Sequence, residues 1–436
     1  MQRLSSIRAR SEGAVGSDHT LLLPRWTLAL AGLGLVTLPW TAQAEEKLNF
    51  IQAESVTLSG YVDTSAIWRI GESSSGGAVK PFPNTYRSPG RLYDVPAKAN
   101  GFNLNSVSLE LDKPLDEARW SSGYHVQILF GPDVPLRNVY ALGGDGPVDV
   151  GLNEGYVMLR APLGNGLDFR LGHFNSPLGY EVYDSYRNPN YSRSYGYYIE
   201  PKSHTGATVG YKFAEWMSAM VGVGNSYSSF VDARSDHETV KAYLATLTFT
   251  GAGFDMPDAS LTFGYTGGTT ATGAPTDNSP RIHNFYAGAR VPLPVKGLAV
   301  GLAYDYQWNA GANEPAIFFQ PAGPESTYAN ATALYVTYAI SRWDLATRFE
   351  YASGTAGNSI FSSRSAFGSD KPINGPNNEQ FLGVTATVGY EFWKNVVSRL
   401  EFRWDRDVSG GVPTLGTAAH PRHDSFTLAL NLIYRF

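Results

Sequence analysis

The chain has 436 residues and a formal charge of −5, with 17% charged residues, 46 glycines, 26 tyrosines and no cysteine. That length allows one large barrel or two ordinary domains, and the missing cysteine excludes disulfide frameworks, thiolate catalysis and thiolate metal sites. Mild acidity argues against nucleic-acid binding, and no body segment reaches the ~18–20 apolar residues of a spanning helix, so any membrane crossing must use strands.

In chain order, Arg3, Arg8, Arg10 and Arg25 precede an apolar run from Trp26 to Trp40, followed by the small-x-small sequence Ala42-Gln43-Ala44. This is the pattern of a secretory leader, and its apolar run is too short to span comfortably as an anchor. We expect residues 1–44 to be a cleaved signal peptide, although its long basic region leaves the start site open. A short periplasmic tail (45–54) and a transmembrane barrel (55–436) follow. Removal of 1–44 leaves 30 basic and 37 acidic residues, a charge of −7.

From residue 55 onward, apolar and polar residues alternate in sixteen segments: 55–70, 102–112, 121–130, 151–161, 167–174, 205–213, 217–225, 240–250, 259–267, 283–291, 297–308, 329–340, 343–352, 380–392, 396–406 and 424–436. A period of two gives a strand one apolar and one polar face. In 297–308 the first face is Leu298, Val300, Leu302, Tyr304, Tyr306 and Trp308, against Gly301, Asp305 and Gln307. In 343–352, Trp343, Leu345, Phe349 and Tyr351 oppose Asp344, Arg348 and Glu350. The last segment repeats the pattern, with Phe426, Leu428, Leu430, Leu432, Tyr434 and a terminal Phe436 on one parity.

The connections alternate strictly between long and short. Long ones fall at 71–101, 131–150, 175–204, 226–239, 268–282, 309–328, 353–379 and 407–423; short ones fall at 113–120, 162–166, 214–216, 251–258, 292–296, 341–342 and 393–395. Tight periplasmic turns and long extracellular loops are the asymmetry of a transmembrane antiparallel up-and-down β-barrel, whereas a β-sandwich would scatter its long loops. Tryptophans agree: Trp68, Trp308 and Trp404 lie at strand ends near long loops, and Trp120, Trp216, Trp343 and Trp393 lie in or beside short turns. With Phe436 they are expected to form two aromatic girdles at the membrane interfaces. About sixteen strands leave an aqueous channel, where eight would be filled by side chains.

The third long connection, 175–204, is NSPLGYEVYDSYRNPNYSRSYGYYIEPKSH, with seven tyrosines, three acids and several bases. The runs GFNLNSVSLELDKPLD and LGHFNSPLGYEVYDSYRNPNYSRSYGYYIEPKSHTG, with the aromatic terminus, resemble the β-barrel porin-2 (OmpL-like) family of Gram-negative outer-membrane proteins. The resemblance implies a porin-type barrel and leaves the cargo open. By its position between strands five and six, 175–204 is expected to fold into the lumen and narrow it, as that loop does in general porins. Its constriction candidates are Glu181, Asp184, Arg187 and Arg193. The polar strand parity supplies wall candidates: Arg170, Arg290, Arg348, Arg399, Arg403, Asp63, Glu110, Glu154, Asp168, Asp305, Glu350 and Glu401. Arginine facing lipid would cost roughly 2–4 kcal/mol at the midplane, so these residues are expected to face inward. Acids opposing arginines across a narrow wet gap would create a transverse field; alternatively, they simply pair and hold the wall together.

Enzyme constellations are weak. No Gly-x-Ser-x-Gly, His-Glu-x-x-His or phosphate-cradling glycine loop occurs, and His420, His423 and Asp424 are a poor metal set, so neither catalysis nor a cofactor or metal is expected. The expected function is passive diffusion of ions and small hydrophilic solutes across the outer membrane. The alternatives are a substrate-specific sugar or peptide channel, or a scaffold or adhesin barrel whose loops bind a partner. Expected partners are outer-membrane lipid, small solutes and, through the carboxy-terminal strand, the barrel-assembly machinery; assembly as a homotrimer stays open.

Overall fold

The computed structural model describes residues 52–53, 56–70, 86–87, 98, 100–134, 149–227, 231–235, 240–269, 281–308, 328–355, 378–410, 415–417 and 421–436. The leader (1–44), most of the tail 45–54, His420 and much of the long connections other than 175–204 lie outside them.

Sixteen strands form the body: β1 (Val56–Arg69), β2 (Gly101–Lys113), β3 (Ser121–Gly131), β4 (Asp149–Ala161), β5 (Leu167–Asn175), β6 (Ser203–Ala214), β7 (Met217–Gly224) and β8 (Ala242–Thr250). They continue as β9 (Ser260–Gly268), β10 (Ile282–Pro292), β11 (Leu298–Trp308), β12 (Tyr328–Ile340), β13 (Trp343–Thr355), β14 (Asn378–Tyr390), β15 (Val396–Asp407) and β16 (Asp424–Arg435). Each pairs antiparallel with its neighbours in sequence. The last closes on the first, from Tyr61 opposite Arg435 to Arg69 opposite Thr427. Closure leaves no edge with unpaired backbone groups, which is what a hydrocarbon environment demands of strands.

The faces divide as the period-two pattern requires. On β11, Leu302, Tyr304 and Trp308 are exposed while Ala299, Ala303, Asp305 and Gln307 are buried. An apolar face turned outward and a polar one sealed inward reverse the usual soluble arrangement. Trp68, Trp120, Trp216, Trp308, Trp343 and Trp393 are exposed, whereas Trp404 is half-buried and donates its indole N–H to Asp424 at 2.8 Å. Phe436 seals the seam, exchanging backbone hydrogen bonds with Gly60 (2.9 and 3.0 Å). Its ring lies where a Cβ on residue 60 would be only 2.8 Å away, so a side chain there would clash.

Register slips between Asp63 and Thr64, opposite β2, and between Gln127 and Ile128, opposite β4. A bulge adds a residue to one strand and re-aims its side chain. Here Asn105 and Asn153 are buried beside their inward neighbours Ser106 and Glu154. Asn105 thereby donates to Asp63, and Asn153 to Gln127.

Candidate functional site

The connection between β5 and β6 does not stay near them. It carries a short turn at Ser185–Arg187 and one helical turn, α1 (Tyr195–Ile199), which touches β11, β12 and β13. Ser194 caps α1, its hydroxyl accepting the Tyr197 N–H at 3.1 Å. Further contacts run from Leu178, against Gly264 of β9, to Asp184, which accepts bonds from the Tyr61 hydroxyl of β1 (2.9 Å) and Gln127 of β3 (3.2 Å). We call residues 178–200 the strap.

A buried irregular segment must find partners for its peptide groups. The wall provides them with charged side chains. Arg348 of β13 donates to the carbonyls of Ser192 (2.7 Å) and Arg193 (3.1 Å); Arg403 of β15 also donates to Arg193 (2.6 Å). Arg399, one layer away on β15, reaches the carbonyls of Ser185 (2.9 Å) and Asn188 (3.1 Å). Carboxylates take the N–H groups: Glu401 accepts from Tyr191 (2.6 Å) and Ser192 (3.0 Å), and Glu350 from Tyr195 (2.6 Å). Guanidinium groups thus grip carbonyls while neighbouring carboxylates grip amides.

The charges also satisfy one another. Arg348 bridges Glu350 (2.7 Å) and Glu181 (2.8 Å), and Arg403 pairs with Asp405 at 2.9 Å. Tyr195 bonds to Asp405 through its hydroxyl (2.6 Å), and Glu181 accepts from the Ser194 N–H (2.7 Å) and the Tyr335 hydroxyl (3.1 Å). Burial pushes the Glu181 carboxyl above its ordinary range, with Arg348 pulling it back. Charge-assisted bonds are the strong class, and removing one partner of a buried pair typically costs about 3–5 kcal/mol.

Of the four constriction candidates, two are closed off from solvent. Glu181 and Arg193 are buried, and Arg193 donates to the carbonyls of Tyr191 and Tyr183, so both brace the strap instead of presenting charge to solvent. Asp184 is largely covered. Arg187 keeps 39% of its side chain accessible, with loose ion pairs to Asp184 (3.7 Å) and Glu110 (3.8 Å). Its Nε also donates to the Tyr186 hydroxyl at 2.9 Å.

The wall candidates separate by sector. Arg348, Arg399, Arg403, Glu350 and Glu401 bind the strap. Asp63 joins them through Asn105 (2.8 Å) and Asn431 (2.7 Å). Asp305 hydrogen-bonds to Glu200 at the strap's far end. Two ionised carboxylates cannot bond to each other, so this pair shares a proton, and burial followed by the nearby Asp305 charge pushes Glu200 well up. Glu110 accepts from Gln127 (3.1 Å), and Glu154 accepts the Asn175 N–H (2.8 Å). Asp168 is bound by Arg160 through two 2.6 Å bonds, Arg170 stacks 4.6 Å over Tyr156, and Arg290 donates to the Asp258 carbonyl at 3.3 Å. The arc β6–β9 instead turns Thr208, Ser218, Thr246, Thr248, Ser260 and Thr262 inward and contributes none of the strap's charged anchors.

Sequence reasoning passed over Asp405, although it shares inward parity with Arg403. It also missed Asn105, Asn153 and Asn431; bulges hid the first two from a period-two count. Lys98 and Asp133, paired at 2.6 Å, were hidden in two different long connections, and burial raises Asp133 to about 6 against the pull of Lys98.

Residues 55–436 match the family model described as Putative beta-barrel porin-2, OmpL-like. The chain belongs to that family. It is an outer-membrane porin of a Gram-negative bacterium. Among solved structures, it is similar to the outer membrane channel DcaP of Acinetobacter baumannii (12% identity, 89% of this chain and 100% of that one, TM-score 0.54). It is also similar to the anion-selective porin from Comamonas acidovorans (11%, 88% and 99%, TM-score 0.53) and to Salmonella typhi OmpF in complex with daunomycin (12%, 87% and 97%, TM-score 0.52). At these identities the likeness concerns the fold alone. No curated protein matches the chain. Within this porin, the strap and its charged lattice are the candidate for the part that governs passage.

Proposed function

We propose that the strap lies within the barrel as a fixed constriction, and that small hydrophilic solutes diffuse past it along the hydroxyl-lined arc β6–β9 and the charged arc β2–β5. The observation carrying this reading is the placement of Arg348, Arg399 and Arg403 on two wall strands, all donating to strap carbonyls. A strap held by so many charge-assisted bonds sets the width of a gap without moving, so transport needs no energy input. Arg187, Glu110 and Asp184 provide its adjustable charge, because their ion pairs are long and Arg187 is the accessible member. In the same reading, residues 1–44 are removed on export, the short turns face the periplasm, and the strand ending in Phe436 is the one offered to the assembly machinery.

Single-channel recording in a planar bilayer tests the proposal. Ohmic steps whose size falls with solute radius are expected. Steps blocked by one sugar or peptide would instead make the passage a specific binding site, and silence would favour a barrel whose loops engage a partner.

A further inference from the structure

Of the wall arginines described above, all but one give their donors to oxygen. Arg160 is bound to Asp168, Arg290 donates to the Asp258 carbonyl, and Arg348, Arg399 and Arg403 hold the strap. Arg170 of β5 has no oxygen partner among the described residues. Its guanidinium lies over two rings instead, 4.6 Å from the centre of Tyr156 and 5.7 Å from that of Phe174. It faces inward, since its neighbours Phe169 and Leu171 are exposed on the lipid side, and it is half-buried. Thr208 stands opposite it on β6, between Gly206 and Gly210, so no long side chain crowds it from that direction.

Beyond Tyr156, toward β3 and β2, the wall is acid-rich. His125 stacks on the Tyr156 ring at 5.3 Å and lies between Asp112 (3.0 Å) and Glu154 (3.8 Å). Glu110 and Asp184 add negative charge there, with Arg187 between them. Asp112 keeps 30% of its side chain accessible, whereas the other three carboxylates keep 10–13%. The row thus runs from an accessible carboxylate, past an aromatic ring, to a guanidinium with uncommitted donors. The two ring separations put Arg170 and His125 no more than about 10 Å apart, with Asp112 one hydrogen bond beyond.

We infer that this row is a subsite for short peptides with both termini charged: Arg170 takes the carboxylate, Asp112 takes the ammonium, and the backbone spans Tyr156. Charge and length select that class. A simple anion meets the acids and a simple cation meets Arg170, while a solute carrying both charges satisfies each end. The planar guanidinium fork suits a carboxylate in particular. A chain of n residues spans at most ~3.3–3.6 Å × n, so about three residues bridge the two ends. Two solvent-facing ion pairs hold such a solute only briefly, so it is sorted in transit and does not block. The inference deepens the passage reading and rests on it in one respect, that the arc β2–β5 borders open lumen.

Saturation-transfer NMR on the folded barrel in detergent tests it with four probes of one length: triglycine, its N-acetyl form, its amide and the doubly capped peptide. A solvent-facing ion pair multiplies binding up to about fivefold, so triglycine should bind about fivefold or more tighter than the doubly capped peptide. Each singly capped form should bind more weakly than triglycine. Arg170→Gln should bring triglycine level with its amide, and Asp112→Asn should bring it level with its N-acetyl form, a pairing that a merely structural role would not produce. Should either variant fail to show the heat-shifted gel mobility of a folded barrel, the wild-type ranking of the four probes decides. Equal binding of all four, or tightest binding of a singly charged form, would overturn the inference. Ohmic single-channel steps without the ranking would leave the passage standing and remove the subsite. The ranking without any steps would uphold the subsite and overturn the passage.

Discussion

The two sides of the barrel wall use their inward faces differently. The side from β11 through β16 to β1 carries a dense charged lattice and clasps the strap; the arc β6–β9 carries short hydroxyl side chains. Charged groups are expensive to bury, so they persist on the first side only because the strap's peptide groups and the opposing charges complete their bonding. Hydroxyls need no such completion and can remain facing water. The difference teaches that charge on an inner wall need not be a filter. Here the charges of that side bond to the strap and to one another, and among the strap's own charged side chains Arg187 alone stays exposed.

The largest effect should come from breaking the lattice at its centre. Arg348→Ala takes the guanidinium from between Glu181 and Glu350 and frees the Ser192 carbonyl, and should cost about 3–5 kcal/mol in stability. Thermal unfolding in detergent would show an earlier loss of the strap's tertiary signal, and single-channel steps should become larger and noisier. An unchanged trace would make the lattice ornamental to passage. Asn105→Leu, which removes a buried partner of Asp63, should cost about 1–3 kcal/mol, measured the same way.

A pH series sharpens the comparison at the strap's far end. Because Glu200 titrates above its ordinary range in the folded protein, the stabilisation from its shared proton is complete below the ordinary glutamate pKa. It is lost as pH rises through the elevated folded value. Channel noise should therefore grow on the alkaline side, and Glu200→Gln, which keeps a hydrogen-bond donor without a labile proton, should flatten that trend. Noise growing on the acid side instead would contradict the shared-proton joint.

Smaller effects are expected on solvent-facing groups. Arg187→Gln should move the reversal potential toward cation preference while stability changes by less than about 0.5 kcal/mol. Thr262→Val on the hydroxyl arc, which loses a 3.2 Å contact with Thr248, should cost under about 1 kcal/mol and leave selectivity unchanged.

Much of this molecule was legible in its sequence. The sixteen segments match the sixteen strands with ends that differ by no more than three residues, the largest difference being β13. It runs on through Ser353, Gly354 and Thr355, where small residues leave no alternation to read. Parity also assigned Arg348, Arg399 and Arg403 to one face. Parity cannot say what a side chain meets there, and the loop position that made Glu181 and Arg193 constriction candidates does not show that ion pairing and burial absorb their charge. Asn105 and Asn153 escaped because a bulge turns two successive residues to the same side. Contacts as distant as Tyr191 with Glu401 follow from closure of the barrel, which no local spacing encodes.

The most direct measurement replaces residues 181–199 with a short Gly-Ser linker and compares single-channel conductance with the wild type, after heat-modified gel mobility has shown that the barrel closes. With the strap gone, conductance should rise severalfold and charge preference should shift. Equal conductance in the two proteins would contradict a constriction built from this segment.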